Sequence, residues 1–128
     1  MNEKIYSSAS VLEICKKVVN ECTEYAEYCE QYAAYEYPMQ YSYGLYTGKA
    51  ESVLDVIRMF VSKMLDALGR PDSVNTLSLE VIRNISHEIN SIWLNTMHEY
   101  EAQVENADSD YNRGYYTGKI SGIRYGLV

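Results

Sequence analysis

The strongest constraint on the fold is a four-residue segment, Tyr-Thr-Gly-Lys, that occurs at residues 46–49 and again at 116–119. The shift that places Tyr46 on Tyr116, which we call the repeat offset, also aligns apolar positions far upstream. In both upstream stretches the apolar residues recur at spacings of three and four, which is typical of one helix face. The aligned pairs include Val11 with Val81, Cys15 with Ile85, Val19 with Ile89, Cys22 with Ile92, Tyr41 with Tyr111 and Gly44 with Gly114.

The repeat offset predicts two tandem copies of a helical hairpin, each consisting of a long helix, a short connection and a second helix. The first copy covers residues 1–70 and the second 71–128, with the join near the Gly-Arg-Pro-Asp segment. A chain of this length can bury a core without disulfides or metals. We therefore expect one all-α domain over residues 1–128, a four-helix bundle with little or no sheet, because no stretch alternates as strands do.

Turn and capping residues predict where the four helices begin and end. Pro38 marks the first turn, Gly69 ends the second helix, and Ser10 and Glu13 have the spacing of a capping box at the first helix. The expected ranges are Ser8 to Tyr37, Met39 or Gln40 to Leu68, a start between Thr76 and Ser78 to Gln103, and a start after Asp108 to the C-terminus.

Glycine recurs at every fourth position of the last helix, from Gly114 to Gly126. One glycine in a helix interior costs about 1 kcal/mol relative to alanine, so helix propensity does not explain the row. Small residues spaced by four allow two helix backbones to approach closely. We therefore expect two facing stripes, with a ligand against the glycines as the alternative; the stripes are Gly44, Gly48 and Ser52 on the second helix and Gly114, Gly118 and Gly122 on the fourth.

The three cysteines, Cys15, Cys22 and Cys29, are regularly spaced on one predicted helix. Side chains two helical turns apart are about 10 Å distant and cannot be bridged, so we expect reduced core residues. Cross-linking between two chains is the alternative. No signal peptide or membrane-spanning stretch is recognisable, which predicts a cytoplasmic protein. No Cys-x-x-Cys pair or neighbouring histidine completes a metal site, and no cofactor is expected.

The net charge of −7 is concentrated in two segments, residues 18–48 and 84–112, that contain no lysine or arginine. In paired hairpins these segments meet at one end of the bundle. They place acids near the C-terminal turns of helices, where the helix dipole favours cations by roughly 0.3–1 kcal/mol per group. Such a surface is typical of a site that a basic partner neutralises, although solubility alone is a sufficient explanation.

The same end is rich in tyrosine, and the chain has 14 tyrosines against one phenylalanine and one tryptophan. Some of these rings are expected to fill the core. Exposed tyrosines among acids favour an arginine-rich partner, because the rings stack on guanidinium groups. The candidate partner-binding residues are Glu24, Glu27, Tyr28, Glu30, Tyr35, Glu101 and Glu105.

These features lead to the hypothesis of a non-enzymatic interaction protein that binds a protein partner with a basic surface. Direct nucleic-acid binding is disfavoured, because phosphates would be repelled by an acidic chain. Small acidic helical proteins are frequent among phage and mobile-element products that obstruct host defence proteins. By that analogy the chain is a candidate inhibitor that imitates nucleic acid. Homodimerisation through the tyrosine surface or the cysteines can coexist with this function.

Two other functions stay open. The repeated Tyr-Thr-Gly-Lys segments could hold an anionic, nucleotide-like ligand, although a solvated helix face is the plainer expectation for their lysines. The candidate ligand-binding residues are Tyr46, Lys49, Arg113, Tyr116 and Lys119. A magnesium-dependent all-α nucleotide pyrophosphatase is the enzymatic alternative, but the acids of the first helix surround it rather than converge on one face, so no catalytic residue is assigned.

Overall fold

The computed structural model describes residues 5–34, 40–69 and 76–127. Across these ranges the chain forms four α-helices and one two-stranded sheet. The elements are β1 (Ile5–Ser7), α1 (Ser8–Ala34), α2 (Tyr41–Leu68), β2 (Thr76–Ser78), α3 (Leu79–Glu105) and α4 (Asp110–Gly126). The predicted all-α class and helical bundle are confirmed, whereas the tandem duplication stays an interpretation. The predictions at Tyr35, Tyr37, Pro38, Met39 and Pro71 lie outside the described residues.

Serine side chains cap the later two helices. The Ser78 hydroxyl accepts a hydrogen bond from the amide of Val81 at 3.2 Å, and the Ser109 hydroxyl accepts one from the amide of Asn112 at 3.0 Å. Both residues precede the first helical residue and have extended backbones, which is the conformation of an N-cap. The predicted starts of α3 and α4 therefore agree with the structure within two residues.

The predicted capping box at the first helix is wrong. Ser10 lies inside α1, which begins at Ser8, and its amide donates to the Ser7 hydroxyl at 3.2 Å. Ser7 therefore occupies the capping position, three residues before Ser10, and Glu13 is not part of a cap. At its C-terminal end α2 stops as predicted, with the Gly69 amide donating to the Leu65 carbonyl at 3.0 Å.

The strands β1 and β2 pair antiparallel immediately before the two flanking helices, α1 and α3. Tyr6 pairs with Leu77, and the Leu77 side chain is buried in the main core. With three residues in each strand, this sheet fits the expectation of little or no sheet. It joins the N-terminal ends of α1 and α3.

The centre of the fold is a close, parallel packing of α2 against α4 along the two predicted stripes. A methyl group added at Gly48 or Gly118 would lie closer than 3.0 Å to backbone atoms of the opposite helix. The contacts advance in the same direction along both helices, from Gly44 beside Tyr111 to Val56 beside Gly126, so α2 and α4 are parallel. The facing stripes are thus confirmed, and they lie within one chain. We call this packing the glycine crossing.

The repeat offset also relates contacts at the glycine crossing. Gly44 lies against the Tyr111 carbonyl, and its counterpart Gly114 lies against the carbonyl of Tyr41. The strand register has the same symmetry. The repeat offset relates Tyr6 to Thr76 and Leu77 to Ser7, and both the pair of Tyr6 with Leu77 and the pair of Thr76 with Ser7 are observed. This approximate two-fold relationship supports the proposed duplication.

Each flanking helix packs mainly on one helix of the crossing, α1 on α2 and α3 on α4, and α3 also contacts α2. Two apolar clusters result. The larger includes Val11, Cys15, Met64, Leu77, Ile85, Ile89, Trp93, Met97 and Ile123, and the smaller includes Cys22, Ala26, Cys29, Ala50, Val53 and Ile57. The three cysteines are free and buried, as predicted. In the described part of the chain, no helix is both long and apolar enough to cross a membrane.

Candidate functional site

Four of the predicted partner-binding residues, Glu24, Glu27, Tyr28 and Glu30, lie on the solvent side of α1. At about 100° per residue, their side chains leave the helix in a continuous sector. All four are exposed. The sector lies opposite the buried line of Cys22, Ala26, Cys29 and Ala33. We call these four residues the acidic α1 face.

The carboxylates of the acidic α1 face carry uncompensated charge. In the described ranges, Glu24, Glu27 and Glu30 form no ion pair with a lysine, arginine or histidine. The last described turn of α1 contains no basic residue either. Three negative charges on one helix therefore face solvent, and no cation of the described ranges forms an ion pair with them.

Tyrosine rings connect this face to α2. The Tyr28 hydroxyl donates a hydrogen bond to the Tyr32 hydroxyl at 2.9 Å, and this bond raises the pKa of Tyr28. The Tyr32 ring lies 5.2 Å from the Tyr46 ring on α2, measured between ring centroids. Tyr28 and Tyr32 nevertheless remain 54% and 42% exposed, so both rings offer contact area to a partner.

The remaining candidates do not join the acidic α1 face. Glu101 and Glu105 are exposed on α3, where the Glu101 carboxylate lies 3.4 Å from Nδ1 of His98. These two acids therefore lie on a helix that packs mainly on α4, whereas the acidic α1 face lies on a helix that packs on α2. Tyr35 lies outside the described residues.

Lys119 has an environment that sequence reasoning missed. Its side chain is only 11% exposed, with its amino group 3.4 Å from the Glu51 carboxylate and 3.8 Å from the Asp55 carboxylate. The same amino group lies over the rings of Tyr100 and Tyr115 at 5.8 and 5.4 Å from their centroids. The expectation of a solvated helix face is therefore wrong for Lys119, which ties α4 to α2.

Tyr115 takes part in the same cluster, because its hydroxyl donates a hydrogen bond to Glu51. Burial, followed by this bond and the charge of Glu51, raises the pKa of Tyr115 well above its usual range. Glu51 and Asp55 are one helical turn apart on α2, and this spacing was the available sequence signal. Only the register of the glycine crossing shows that Lys119 lies between them.

The other predicted ligand-binding residues occupy different surroundings. Lys49 lies over the Tyr46 ring at 5.3 Å, on the side of α2 that faces α1. Arg113 pairs with Asp110 of its own helix at 3.1 Å. The Tyr116 ring lies 5.7 Å from the ring of Tyr100 on α3. The candidates from the first copy thus face α1, and Tyr116 with Lys119 faces α3.

A stacked tyrosine pair connects α1 to α4. The rings of Tyr25 on α1 and Tyr125 on α4 are 3.8 Å apart and inclined by 9°. Burial is the main cause that raises the pKa of Tyr25 to about 12. Near this pair, burial also raises the pKa of Cys29, although a hydrogen bond from Tyr25 and the charge of Lys49 oppose the change.

No group of three histidine, cysteine, aspartate or glutamate side chains within residues 5–34, 40–69 and 76–127 is arranged to hold a metal ion. Comparison of the chain with protein-family models, curated proteins and solved structures found no match.

Proposed function

We propose that this protein is a non-enzymatic interaction protein that binds a basic protein surface through the acidic α1 face. The observation that carries the proposal is the exposed sector of Glu24, Glu27, Tyr28 and Glu30, in which three carboxylates have no cationic partner among the described residues. A partner that supplies the missing cations would gain both electrostatic steering and contacts with the tyrosine rings.

The partner we propose is a nucleic-acid-handling protein, because such proteins carry the basic surfaces that phosphates normally occupy. Carboxylates spaced along one helix face would take the place of phosphates, and exposed Tyr28 and Tyr32 would stack on arginine side chains. Binding would deny the partner access to its nucleic acid. A host defence protein inhibited by a phage or mobile-element product is the specific case we propose.

The small-ligand alternative has weaker support. Lys119 is already paired with Glu51 and Asp55, so its charge is partly neutralised before an anion arrives. Lys49 and Lys119 lie beside different flanking helices, on Tyr46 and Tyr100 respectively. We therefore keep an anionic nucleotide-like ligand only as an outcome that the experiments must distinguish.

Charge reversal tests the proposal. The double substitution Glu27→Lys with Glu30→Lys is expected to abolish binding to the basic partner, because it replaces two attractive charges by two repulsive ones. The matched control is Glu13→Lys with Asp66→Lys, which changes the net charge equally at exposed positions outside the acidic α1 face.

The readout is the dissociation constant at two salt concentrations, together with circular dichroism to verify folding. Stronger salt should weaken wild-type binding, since exposed charges are screened over about 10 Å at 0.1 M. Equal loss in the control pair would indicate that net charge, rather than this face, determines binding. Unchanged binding of the Glu27→Lys, Glu30→Lys variant would reject the proposal.

A further inference from the structure

A cavity of about 310 Å³ opens between α1 and α2 at the edge of the acidic α1 face. Its lining residues are Glu30, Ala33, Ala34, Tyr43, Thr47, Ala50 and Glu51. Carboxylates from both helices therefore border one space, with a tyrosine and a threonine between them. Three alanines leave the space unfilled, because none has atoms beyond the β-carbon.

The second copy of the hairpin lacks the residues that create this space. At the repeat offset, Ala33, Ala34 and Ala50 are replaced by larger side chains, and the acids are replaced by uncharged ones. The replacements are Gln103, Val104 and Ile120 for the alanines, Tyr100 and Ser121 for Glu30 and Glu51, and Arg113 for Tyr43. The small and acidic residues are thus specific to the first copy.

Both copies carry a lysine in this region, Lys49 and Lys119 at equivalent positions, and the second copy adds an arginine. Arg113 stands at the position of Tyr43, and the Lys119 amino group lies 5.8 Å from the Tyr100 ring. In the first copy, Glu30 has no ion-pair partner among the described residues. Among the described residues, Glu30 therefore borders the cavity without a cation, whereas Oε2 of Glu51 already lies 3.4 Å from the Lys119 amino group and accepts a hydrogen bond from Tyr115.

We propose that this cavity receives one arginine side chain of the basic partner. The inference rests on the proposed function, since it identifies the group that the partner would place beside the acidic α1 face. The guanidinium would lie between Glu30 and Oε1 of Glu51, since Oε2 of Glu51 already contacts Lys119 and Tyr115. Its ring-stacking face would lie against Tyr43, while its aliphatic stem would contact Ala33 and Ala34.

The dimensions and lining favour arginine over other occupants. The volume is at the lower end of the range for small-ligand sites, about 300–1,000 Å³, which suits a single side chain. A guanidinium presents five donors in a plane and stacks on aromatic rings, so it can use two carboxylates and Tyr43 together. A lysine ammonium is more strongly hydrated and lacks that planar fork, and an anion would be repelled by Glu30 and Glu51.

Binding of the full chain to deca-arginine and deca-lysine peptides tests the proposal. The two peptides carry equal charge, and stacking on the exposed rings of Tyr28 and Tyr32 favours arginine independently of the cavity. The cavity is therefore tested by the part of the arginine preference that depends on its lining residues. An arginine seated between Glu30 and Glu51 gains charge-assisted, planar hydrogen bonds, and we expect about tenfold tighter binding of deca-arginine. The measurement is a fluorescence titration of each labelled peptide.

Two variants test whether the preference for deca-arginine arises at the cavity. Ala33→Gln with Ala34→Val fills the cavity with the residues of the second copy, and Glu30→Gln removes one charge at an exposed position where folding is not at risk. Both are expected to reduce the ratio of deca-lysine to deca-arginine dissociation constants, leaving only the preference that Tyr28 and Tyr32 supply. Thermal unfolding verifies that each variant is folded.

The outcomes separate this inference from the proposed function. If both peptides bind wild-type protein equally, or if the arginine preference is undiminished in the Ala33→Gln, Ala34→Val and Glu30→Gln variants, the cavity proposal is wrong while the acidic α1 face still binds cations. If neither peptide binds, both proposals are rejected. A preference for arginine that is smaller in both variants than in the wild type supports the cavity.

Discussion

Gly118 of α4 lies so close to Leu45 of α2 that an added methyl group would be within 3.0 Å of the Leu45 backbone. The equivalent contact, related by the repeat offset, is that of Gly48 with Tyr115. Main chains thus approach each other without intervening side chains at these two points, as they also do at Gly44 and Gly114. The glycine crossing therefore determines the separation of α2 and α4 and the positions of every side chain between them.

The first prediction concerns these two glycines. Gly48→Ala and Gly118→Ala should each lower the free energy of unfolding by about 1–3 kcal/mol, because overpacking against a backbone cannot be relieved by a side-chain movement. Helix propensity alone predicts the opposite sign, a gain of about 1 kcal/mol. Urea unfolding followed by circular dichroism distinguishes the two signs.

Gly69 is the matched control for this experiment. A methyl group there would meet its nearest atom, the Leu65 carbonyl oxygen, at an ordinary 3.6 Å, and the backbone of Gly69 is right-handed. Gly69→Ala should therefore be nearly neutral. Stabilisation by Gly48→Ala or Gly118→Ala would contradict the close crossing.

The second prediction concerns the ion pairs of Lys119. Lys119→Met retains most of the side-chain volume but removes the lysine contact of the Glu51 and Asp55 carboxylates, and Asp55 keeps only Arg58, 3.8 Å away, as a cationic partner among the described residues. We expect a loss of about 1–2 kcal/mol of unfolding free energy, below the cost of breaking a fully buried pair, because both carboxylates are about half exposed.

Lys49→Met provides the comparison, since Lys49 occupies the same position in the first copy and forms no ion pair among the described residues. Its cost should be below about 0.5 kcal/mol, as for ordinary surface substitutions. Thermal denaturation of both variants at equal salt gives the difference. Equal costs for Lys49→Met and Lys119→Met would show that the ion pairs do not stabilise the crossing.

The third prediction is a loss of stability at alkaline pH. The pKa of Tyr25 is about 12 in the folded chain, against about 10 in an unfolded chain. Below pH 10 both states hold the proton, so Tyr25 contributes no pH dependence there. As the pH rises from 10 towards 12, the unfolded state loses its proton first, and the free energy of unfolding falls.

Other groups act in the same direction. Tyr115 and the three buried cysteines also have raised pKa values, mainly because of burial. The thermal midpoint should consequently decline from about pH 9 upward. Tyr25→Phe should make this decline shallower, whereas Tyr41→Phe, at an exposed position, serves as the control. A thermal midpoint that stays constant to pH 12 would contradict the prediction.

The helices and the facing stripes could be predicted from sequence because both depend on local spacing. Apolar residues at intervals of three and four mark the buried helix faces. Glycines at intervals of four are unfavourable for helix formation itself, so they indicate the close approach of a second helix. The ends at Gly69, Ser78 and Ser109 also follow from local chemistry. The prediction of Ser10 as the first cap is wrong because Ser7, three residues earlier, carries the same hydroxyl group and accepts the hydrogen bond of the Ser10 amide.

Long-range features could not be predicted in this way. Strands β1 and β2 are too short to show a period of two, and their pairing depends on contacts across the whole chain. The burial of Lys119 depends on Gly118 bringing α4 against α2, where Glu51 and Asp55 then approach it. The acids expected at one end of the bundle lie on α1 and α3, which pack mainly on different central helices, so their arrangement depends on tertiary packing rather than on local spacing.

The most direct test of the proposed function is native mass spectrometry of the tagged protein and its Glu27→Lys, Glu30→Lys variant, both recovered gently from the source cells. We predict a protein-sized mass addition on the wild type that is released by salt and is absent from the variant. The same addition on both proteins, or an addition of metabolite size alone, would contradict binding of a basic protein through the acidic α1 face.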